Sequence, residues 1–428
     1  YGVGGVLAKS ISFFTLPVYT TIFSRSEYGT IEMLTVIGSF LGSILLMGMD
    51  SAQSMYFFKL KKEGQQKQAQ IVSSILQWRL ISGAIIVIFS TAISPVLNKI
   101  FFGGKLSWEY FLVSFSGVLF IQITSQSAEV MRLLFRPWSY IFVVLSQSLL
   151  AAAIALILIL KFNQGILGFF WGGLVAALLV AAIGWFRVRS YLRFDKLHFD
   201  LWPMLLRFGL PLVPASLAMY FMNTSDRWFI QHYHGEDELG LYAVGAKFAM
   251  LSSLAIETFR KAWWPLAMDS MHSENGEKTF ILISNWYVCI GSFFILILTF
   301  LSPWLIEFIT GPDFHDSWPI VGILTWKGLL YGYFMICSAG IWKAEKIYLN
   351  LYISLSILVV GLILNFLIVP TYGIIGASFA TVFTFFIWIV VTSIVSNLHW
   401  KVKFNYFFIL SVFIISLSVS YSFSLGYL

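Results

Sequence analysis

Apolar runs of about 20 residues, separated by short polar connections, recur along the whole chain. A helix needs about that length to cross a bilayer, whereas the strands of a membrane barrel would show alternating polarity over about ten residues. The pattern predicts an all-α polytopic membrane protein with twelve spans followed by a thirteenth, C-terminal span. The predicted spans are 3–22, 33–55, 71–98, 108–131, 140–160, 166–186, 209–232, 239–263, 280–303, 318–341, 348–369, 374–396 and 405–425.

A basic, amphipathic connector separates the sixth and seventh predicted spans. Each half then has six spans and the same orientation, which predicts two six-helix lobes related by a pseudo-two-fold axis along the membrane normal, around a central cavity. An internal similarity supports this division, because SEYGTIEMLTVIG resembles DELGLYAVGAKFA in the second half. The predicted domains are an N-terminal lobe at 1–186, the connector at 187–208, a C-terminal lobe at 209–396 and an extra transmembrane segment at 397–428.

The charge distribution predicts the orientation in the membrane. Only 11% of the residues are charged, against about 25% in soluble domains, and the net charge is +7. Most Lys and Arg residues fall on one side of the predicted spans, which places the N-terminus and the connector in the cytoplasm. These basic residues therefore indicate membrane topology rather than nucleic-acid binding. The two cysteines lie inside apolar spans, so neither a disulfide framework nor a thiol metal site is expected.

Apart from Arg260 and Lys261 at the cytoplasmic end of the eighth span, five basic residues fall inside predicted spans, where each charge costs roughly 2.5 to 3.5 kcal/mol. They are Lys9, Arg79, Arg227, Lys247 and Lys327. Arg79 lies near a cytoplasmic end and is interpreted as an interfacial anchor. The other four are expected to line a polar interior, although local pairing or snorkelling is the alternative for each.

Polar residues at helical spacing accompany these cations. Tyr220, Asn223 and Arg227 share one face of the seventh span, with Asp226 as a local partner for the arginine. Lys327 and Tyr331 share a face of the tenth span. Such stripes predict either cavity walls or helix contacts.

The N-terminal half carries a further group of polar residues. Gln122, Gln126 and Glu129 lie in the fourth span and predict either a cavity wall or helix contacts there. Asp50, Glu129 and Glu257 lie toward cytoplasmic ends and are candidates for binding a coupling proton or sodium ion, unless they are ordinary interfacial carboxylates. No resident cofactor or metal site is expected, because the histidine-containing segments lack a convincing ligand set.

The order and placement of several short strings resemble the polysaccharide (O-antigen type) flippases of the multidrug, oligosaccharidyl-lipid and polysaccharide exporter superfamily. The resemblance implies a two-lobed transporter with alternating access. Its members usually have 12 or 14 helices, so the odd thirteenth span indicates either a further helix beyond it or a different division of the C-terminal run. Because the sequence begins with Tyr1 rather than Met, a few residues are expected before it. The strings are LPVYTTIFSRSEYGTIE, GLPLVPASL, SDRWFI, ELGLYAVGAKF, FRKAWWPLAM and YGIIGASFAT.

The resemblance implies that an undecaprenyl-diphosphate-linked oligosaccharide moves from the cytoplasmic to the outer leaflet of the bacterial inner membrane. Cations would hold the diphosphate, and amides and aromatic residues would hold the sugar. The protein would act as a monomer among membrane lipids, beside a polymerase that assembles lipopolysaccharide or another surface polysaccharide. The expected substrate-binding residues are Lys9, Arg227, Lys247, Lys327, Tyr220, Asn223, Gln122, Gln126 and Tyr331.

Two other functions remain as alternatives. An ion-coupled multidrug or metabolite antiporter of the same superfamily would need deep acidic residues to export organic cations, whereas the deep charges here are mostly basic. A membrane enzyme such as a sugar polymerase or ligase would need a sizeable outer domain with paired carboxylates or a base. The short outer loops argue against this class, so a transporter rather than an enzyme is predicted.

Overall fold

The computed structural model describes residues 2–193, 197–271 and 273–426, and all regular structure in these ranges is helical. Ten of the helical stretches in these ranges are long and apolar enough to cross a membrane. The prediction of an all-α polytopic membrane protein is therefore confirmed. The count of thirteen spans stays a prediction.

The first nine helices cover the N-terminal half of the chain. They are α1 Gly2–Phe14, α2 Leu16–Ile22, α3 Arg25–Leu46, α4 Met49–Lys59, α5 Gln65–Ala92, α6 Ser94–Phe102, α7 Trp108–Leu133, α8 Pro137–Leu160 and α9 Gly165–Arg187. The remaining helices are α10 Trp202–Gly209, α11 Val213–Ser270, α12 Gly276–Ile309, α13 Trp318–Cys337, α14 Ala339–Lys343, α15 Tyr348–Asn397 and α16 Tyr406–Ser424.

Two of these helices contain a backbone break that separates two predicted spans. Helix α11 has 58 residues and is interrupted at Gly235, where φ is 82° and ψ is −169°. Helix α15 has 50 residues and is interrupted at Gly373, where φ is 55° and ψ is −138°. Such dihedral angles are essentially restricted to glycine. The two breaks lie between the seventh and eighth and between the eleventh and twelfth predicted spans.

Other spans are broken where the sequence carries proline or glycine. The first predicted span divides into α1 and α2 just before Pro17, and a 3₁₀ turn, Leu210–Leu212, precedes α11 near Pro211 and Pro214. The second predicted span divides between α3 and α4, where Gly48 has a φ of 70°. The proline interruptions were expected, because proline removes a helix hydrogen bond. The break at Gly48 was not.

The chain divides into two compact units. The first contains residues 1–16 and 30–220, and the second contains 17–29 and 221–428. Helix α10, at the end of the connector, packs in the first unit, where Leu205 joins an apolar core with Met49 and Ile75. In the second unit α16 packs against α12 and α13. The two-lobe organisation is thus confirmed, while the pseudo-two-fold axis and the central cavity stay predictions.

The two copies of the internal repeat meet within the second unit. A Cβ atom on Gly29 would overlap the carbonyl oxygen of Glu236, and one on Gly240 would overlap the carbonyl oxygen of Arg25. The contact is reciprocal, because equivalent positions of the two repeat copies, SEYG at 26–29 and DELG at 237–240, face each other. Glycine permits this backbone approach since it has no side chain.

Candidate functional site

Two of the predicted cations converge on one backbone carbonyl in the second unit. Lys327 Nζ, from α13, donates a hydrogen bond to the Asn223 carbonyl oxygen at 3.3 Å. Arg227 NH1, one turn further along α11, donates to the same oxygen at 3.3 Å. Lys327 Nζ also lies 5.4 Å from the centre of the Phe385 ring on α15. The structure thus brings together three predicted site residues from two helices.

Asp226 completes this group. Its side chain is 3% exposed, and its Oδ1 accepts a hydrogen bond from Arg227 NH1 at 3.1 Å. Its other oxygen accepts from the Tyr242 hydroxyl and from the Thr381 hydroxyl, the latter at 3.2 Å. Local pairing of Arg227 was the alternative considered from the sequence, and the structure contains that pair. We call Asn223, Asp226, Arg227 and Lys327 the cation cluster.

Lys327 differs from Arg227 in its partners. Within the described part of the chain no carboxylate oxygen lies within 4.0 Å of its ammonium, which is held by a neutral carbonyl and an aromatic face. A cation–π contact contributes roughly 0.5 to 2 kcal/mol, less than the cost of placing an ammonium deep in a membrane protein. Among the described residues, the ammonium of Lys327 therefore has no ion pair.

Lys247 lies at another place in the second unit. Its ammonium donates a hydrogen bond to the hydroxyl of Tyr28 and lies 4.9 Å from the centre of that ring. The Tyr28 ring in turn packs edge-on against Phe314 at 5.5 Å. Lys9 lies on α1, but its side chain is outside the described residues. Its predicted role stays untested.

Tyr331 lines a cavity of about 510 Å³ in the second unit. Its hydroxyl accepts a hydrogen bond from Arg260 NH1 at 3.2 Å, and Arg260 NH2 donates to Glu257 at 3.0 Å. Lys261, Trp264 and Trp342 also line this cavity. In the sequence, Arg260 and Lys261 follow a long apolar run and contribute only to the charge asymmetry that predicts the orientation. Their position in one cavity with Tyr331 became visible only in the structure.

The other predicted substrate residues lie in the first unit. Gln126 is fully buried, and its amide nitrogen donates to Gln53 Oε1 at 2.9 Å and to the Val72 carbonyl at 3.1 Å. The Tyr220 hydroxyl donates to the Val36 carbonyl at 2.5 Å. The carbonyl of Gln122 accepts a hydrogen bond from Arg79. These contacts are of the kind that holds helices together, and a substrate role for the three residues stays a prediction.

Arg79 is wrongly predicted as an interfacial anchor. Its side chain has no exposed surface, and its guanidinium forms an ion pair with Asp50, whose side chain is 47% exposed. Helices α4 and α5 pack against each other, so they bring a carboxylate to the buried guanidinium. The hydropathy pattern does not indicate this pair, because it reports local composition and the two residues are 29 positions apart.

Asp50 and Glu129, two of the residues predicted to bind a coupling ion, line one cavity of about 540 Å³ in the first unit. We call this the first-unit cavity. Both oxygens of Glu129 accept hydrogen bonds from Arg132, and one also accepts from the Ser54 hydroxyl at 3.0 Å. Each carboxylate is thus paired with an arginine, as Glu257 is with Arg260. The cavity is lined by Asp50, Ser51, Ser54, Ser125, Ala128, Glu129, Arg132, Tyr140 and Val144.

Comparison with known proteins adds family information to this geometry. A family model described as polysaccharide biosynthesis protein matches residues 1–271. A protein of the Lsg locus of Haemophilus influenzae is 24% identical over 314 residues, which are 72% of this chain and 73% of that protein. The succinoglycan biosynthesis transport protein of Rhizobium meliloti is 24% identical over 350 residues, which are 76% of this chain and 65% of that protein.

Solved structures with a similar fold are transporters. The lipid II flippase MurJ, in an inward closed conformation, has a TM-score of 0.74 at 17% identity, covering 99% of this chain and 92% of its own. A multidrug resistance MATE transporter, in an inward-facing conformation, has a TM-score of 0.70 at 14% identity, covering 93% and 94%. At these identities the likeness establishes the fold alone. Because the family model matches more than half of the chain, the protein belongs to the polysaccharide biosynthesis protein family.

Proposed function

We propose that this protein flips an undecaprenyl-diphosphate-linked oligosaccharide from the cytoplasmic to the outer leaflet of the bacterial inner membrane by alternating access. The N-terminus would be cytoplasmic, and the protein would act as a monomer beside the polymerase that uses the flipped lipid. The family description and the succinoglycan transport relative support a role in polysaccharide transport. The fold shared with a lipid II flippase supports a lipid-linked cargo.

The observation that carries this proposal is the ammonium of Lys327. A diphosphate presents several anionic oxygens, and charge-assisted hydrogen bonds to such groups are roughly twice as strong as neutral ones. Lys327 and Arg227 both donate hydrogen bonds to the neutral Asn223 carbonyl oxygen. A diphosphate oxygen would be a stronger acceptor for both side chains. The cation cluster therefore favours an anionic headgroup over a neutral or cationic one.

An ion-coupled multidrug antiporter is the second candidate, because MATE transporters share the fold. Export of an organic cation would need an acidic residue open to the ligand. Asp226 is buried and already bonded to Arg227, Tyr242 and Thr381. Binding of a proton or sodium ion at Asp50, Glu129 or Glu257 would likewise have to displace an arginine. The charge arrangement therefore favours the flippase.

Substitution of Lys327 tests the proposal. In cells lacking the gene, the Lys327→Met variant should restore surface glycan about tenfold less than the wild type and leave the lipid-linked saccharide accumulated. Lys327→Arg, which keeps the charge, should retain part of the activity. Lys247→Met should also lower export, and the double Lys247→Met/Lys327→Met variant should abolish it.

Lys99→Met serves as the matched control, because Lys99 is exposed on α6 and lies outside the cation cluster. All variants are compared at equal amounts of protein in the membrane. Undiminished surface glycan in the double variant would exclude the proposed diphosphate site. Normal glycan in a gene-deletion strain, together with efflux of cationic dyes by the purified protein, would favour the antiporter instead.

A further inference from the structure

The first-unit cavity contains charged groups that cancel one another. Glu129 accepts hydrogen bonds from Arg132 through both carboxylate oxygens, and Asp50 forms an ion pair with the fully buried Arg79. Two carboxylates and two guanidinium groups sum to no net charge. A cavity without excess positive charge offers little attraction to a diphosphate, and carboxylates already paired with arginines offer little to a monovalent cation.

Hydroxyl groups cover much of the remaining lining. Ser51 and Ser125 are exposed to the cavity, and within the described residues neither hydroxyl has a hydrogen-bond partner. Ser54 and Tyr140 add two further hydroxyls. The carboxylates can only accept hydrogen bonds, the guanidinium can only donate them, and the hydroxyls do both. The lining therefore matches a neutral ligand that carries many donors and acceptors close together.

We propose that the first-unit cavity binds the saccharide of the transported lipid. This rests on the proposed function and deepens it, because it assigns the sugar to helices α4, α7 and α8. A sugar hydroxyl can donate a hydrogen bond to a carboxylate and accept one from a serine or an arginine. The ion-paired carboxylates and the exposed serines of the lining can therefore both bind sugar hydroxyls. The volume of about 540 Å³ lies within the range of roughly 300 to 1,000 Å³ that is typical of ligand pockets.

The composition of the lining supports a site for a whole sugar ring rather than a single ion. The serines come from α4 and α7, while α8 contributes an aromatic residue, Tyr140, and an apolar one, Val144. Sugars combine polar edges with apolar faces, and aromatic side chains pack against those faces. A site of this kind selects the saccharide through several hydrogen bonds, each of which is modest on its own.

The test compares two lipids on the full-length protein in detergent. One is undecaprenyl diphosphate, and the other is the undecaprenyl-diphosphate-linked saccharide isolated from a strain that lacks the gene. The double variant Ser51→Leu/Ser125→Leu removes two hydroxyls and fills part of the cavity without touching the ion pairs. It should weaken binding of the saccharide lipid about tenfold and leave binding of undecaprenyl diphosphate unchanged.

Two controls separate this inference from the proposed function. Ser116→Leu, on α7 but outside the cavity lining, should bind both lipids like the wild type. Lys327→Met should weaken binding of both lipids, because both carry the diphosphate. Unchanged saccharide binding by the double serine variant, with the Lys327→Met effect intact, would overturn the sugar site alone. Failure of the wild type to bind either lipid would overturn both proposals.

A sodium site in the same cavity predicts a different result. Sodium ions would then raise the thermal stability of the wild type, and the double serine variant would lose this effect while keeping saccharide binding. That result would overturn the sugar assignment.

The double variant Ser51→Ala/Ser125→Ala removes the hydroxyls without adding volume. It should therefore weaken saccharide binding less than the Ser51→Leu/Ser125→Leu variant does.

Discussion

At the level of single residues, charges inside the helices are arranged in two ways. In the first unit a buried arginine, Arg79, is neutralised by a carboxylate that reaches the first-unit cavity. In the second unit the ammonium of Lys327 rests on a neutral carbonyl and an aromatic ring. In the first arrangement the carboxylate compensates the buried guanidinium, since an unpaired buried charge is strongly unfavourable. In the second arrangement the ammonium has no ion pair among the described residues, which is the feature that supports the proposed diphosphate site.

The pair of Asp50 and Arg79 should respond asymmetrically to substitution. Asp50→Ala leaves a fully buried guanidinium without its partner, which costs about 3 to 5 kcal/mol. Arg79→Met leaves a carboxylate that is about half exposed and can be hydrated, so its cost should be smaller. Thermal unfolding of the purified variants measures the difference, with Glu63→Ala at an exposed position as the control. Equal losses for both variants would show that the ion pair does not determine stability.

At the level of helices, glycine residues lie where the backbone breaks between two long helices and where two backbones come into close contact. Gly235 and Gly373 separate pairs of long apolar helices through backbone angles that other residues avoid. Gly29 and Gly240 allow the two repeat copies to meet. The sequence similarity between these copies indicated a duplication, but it did not indicate that the equivalent segments touch.

Gly240→Ala should destabilise the second unit. Its methyl group would overlap the Arg25 carbonyl oxygen, and overpacking of this kind costs about 1 to 3 kcal/mol. A lower unfolding temperature and a lower yield of folded protein are expected. Gly173→Ala on α9 is the matched control, because a Cβ atom there meets nothing within 4 Å. Wild-type stability of the Gly240→Ala variant would refute the close contact.

At the level of the whole molecule, the distribution of Lys and Arg predicts that the connector side faces the cytoplasm. Cysteine labelling tests this orientation in a background without Cys289 and Cys337. With a membrane-impermeant maleimide, Gln164→Cys should be labelled in intact cells, and Lys62→Cys only after permeabilisation. Both positions are exposed and lie at opposite predicted sides of the membrane. The reverse pattern would invert the orientation and, with it, the proposed direction of transport.

The sequence alone determined the class of the protein, the positions of its apolar helices and its resemblance to flippases, because these follow from local composition, period and motif order. Only the tertiary structure decided which charges are paired. The packing of α4 on α5 brings Asp50 to Arg79. The packing of α13 on α11 brings Lys327 to the carbonyl of Asn223, 104 positions away. Hydropathy states how far a charge lies inside a span, but not which neighbouring helix supplies its partner. Cations with and without an ion pair therefore look alike in sequence and differ only once the helices are packed.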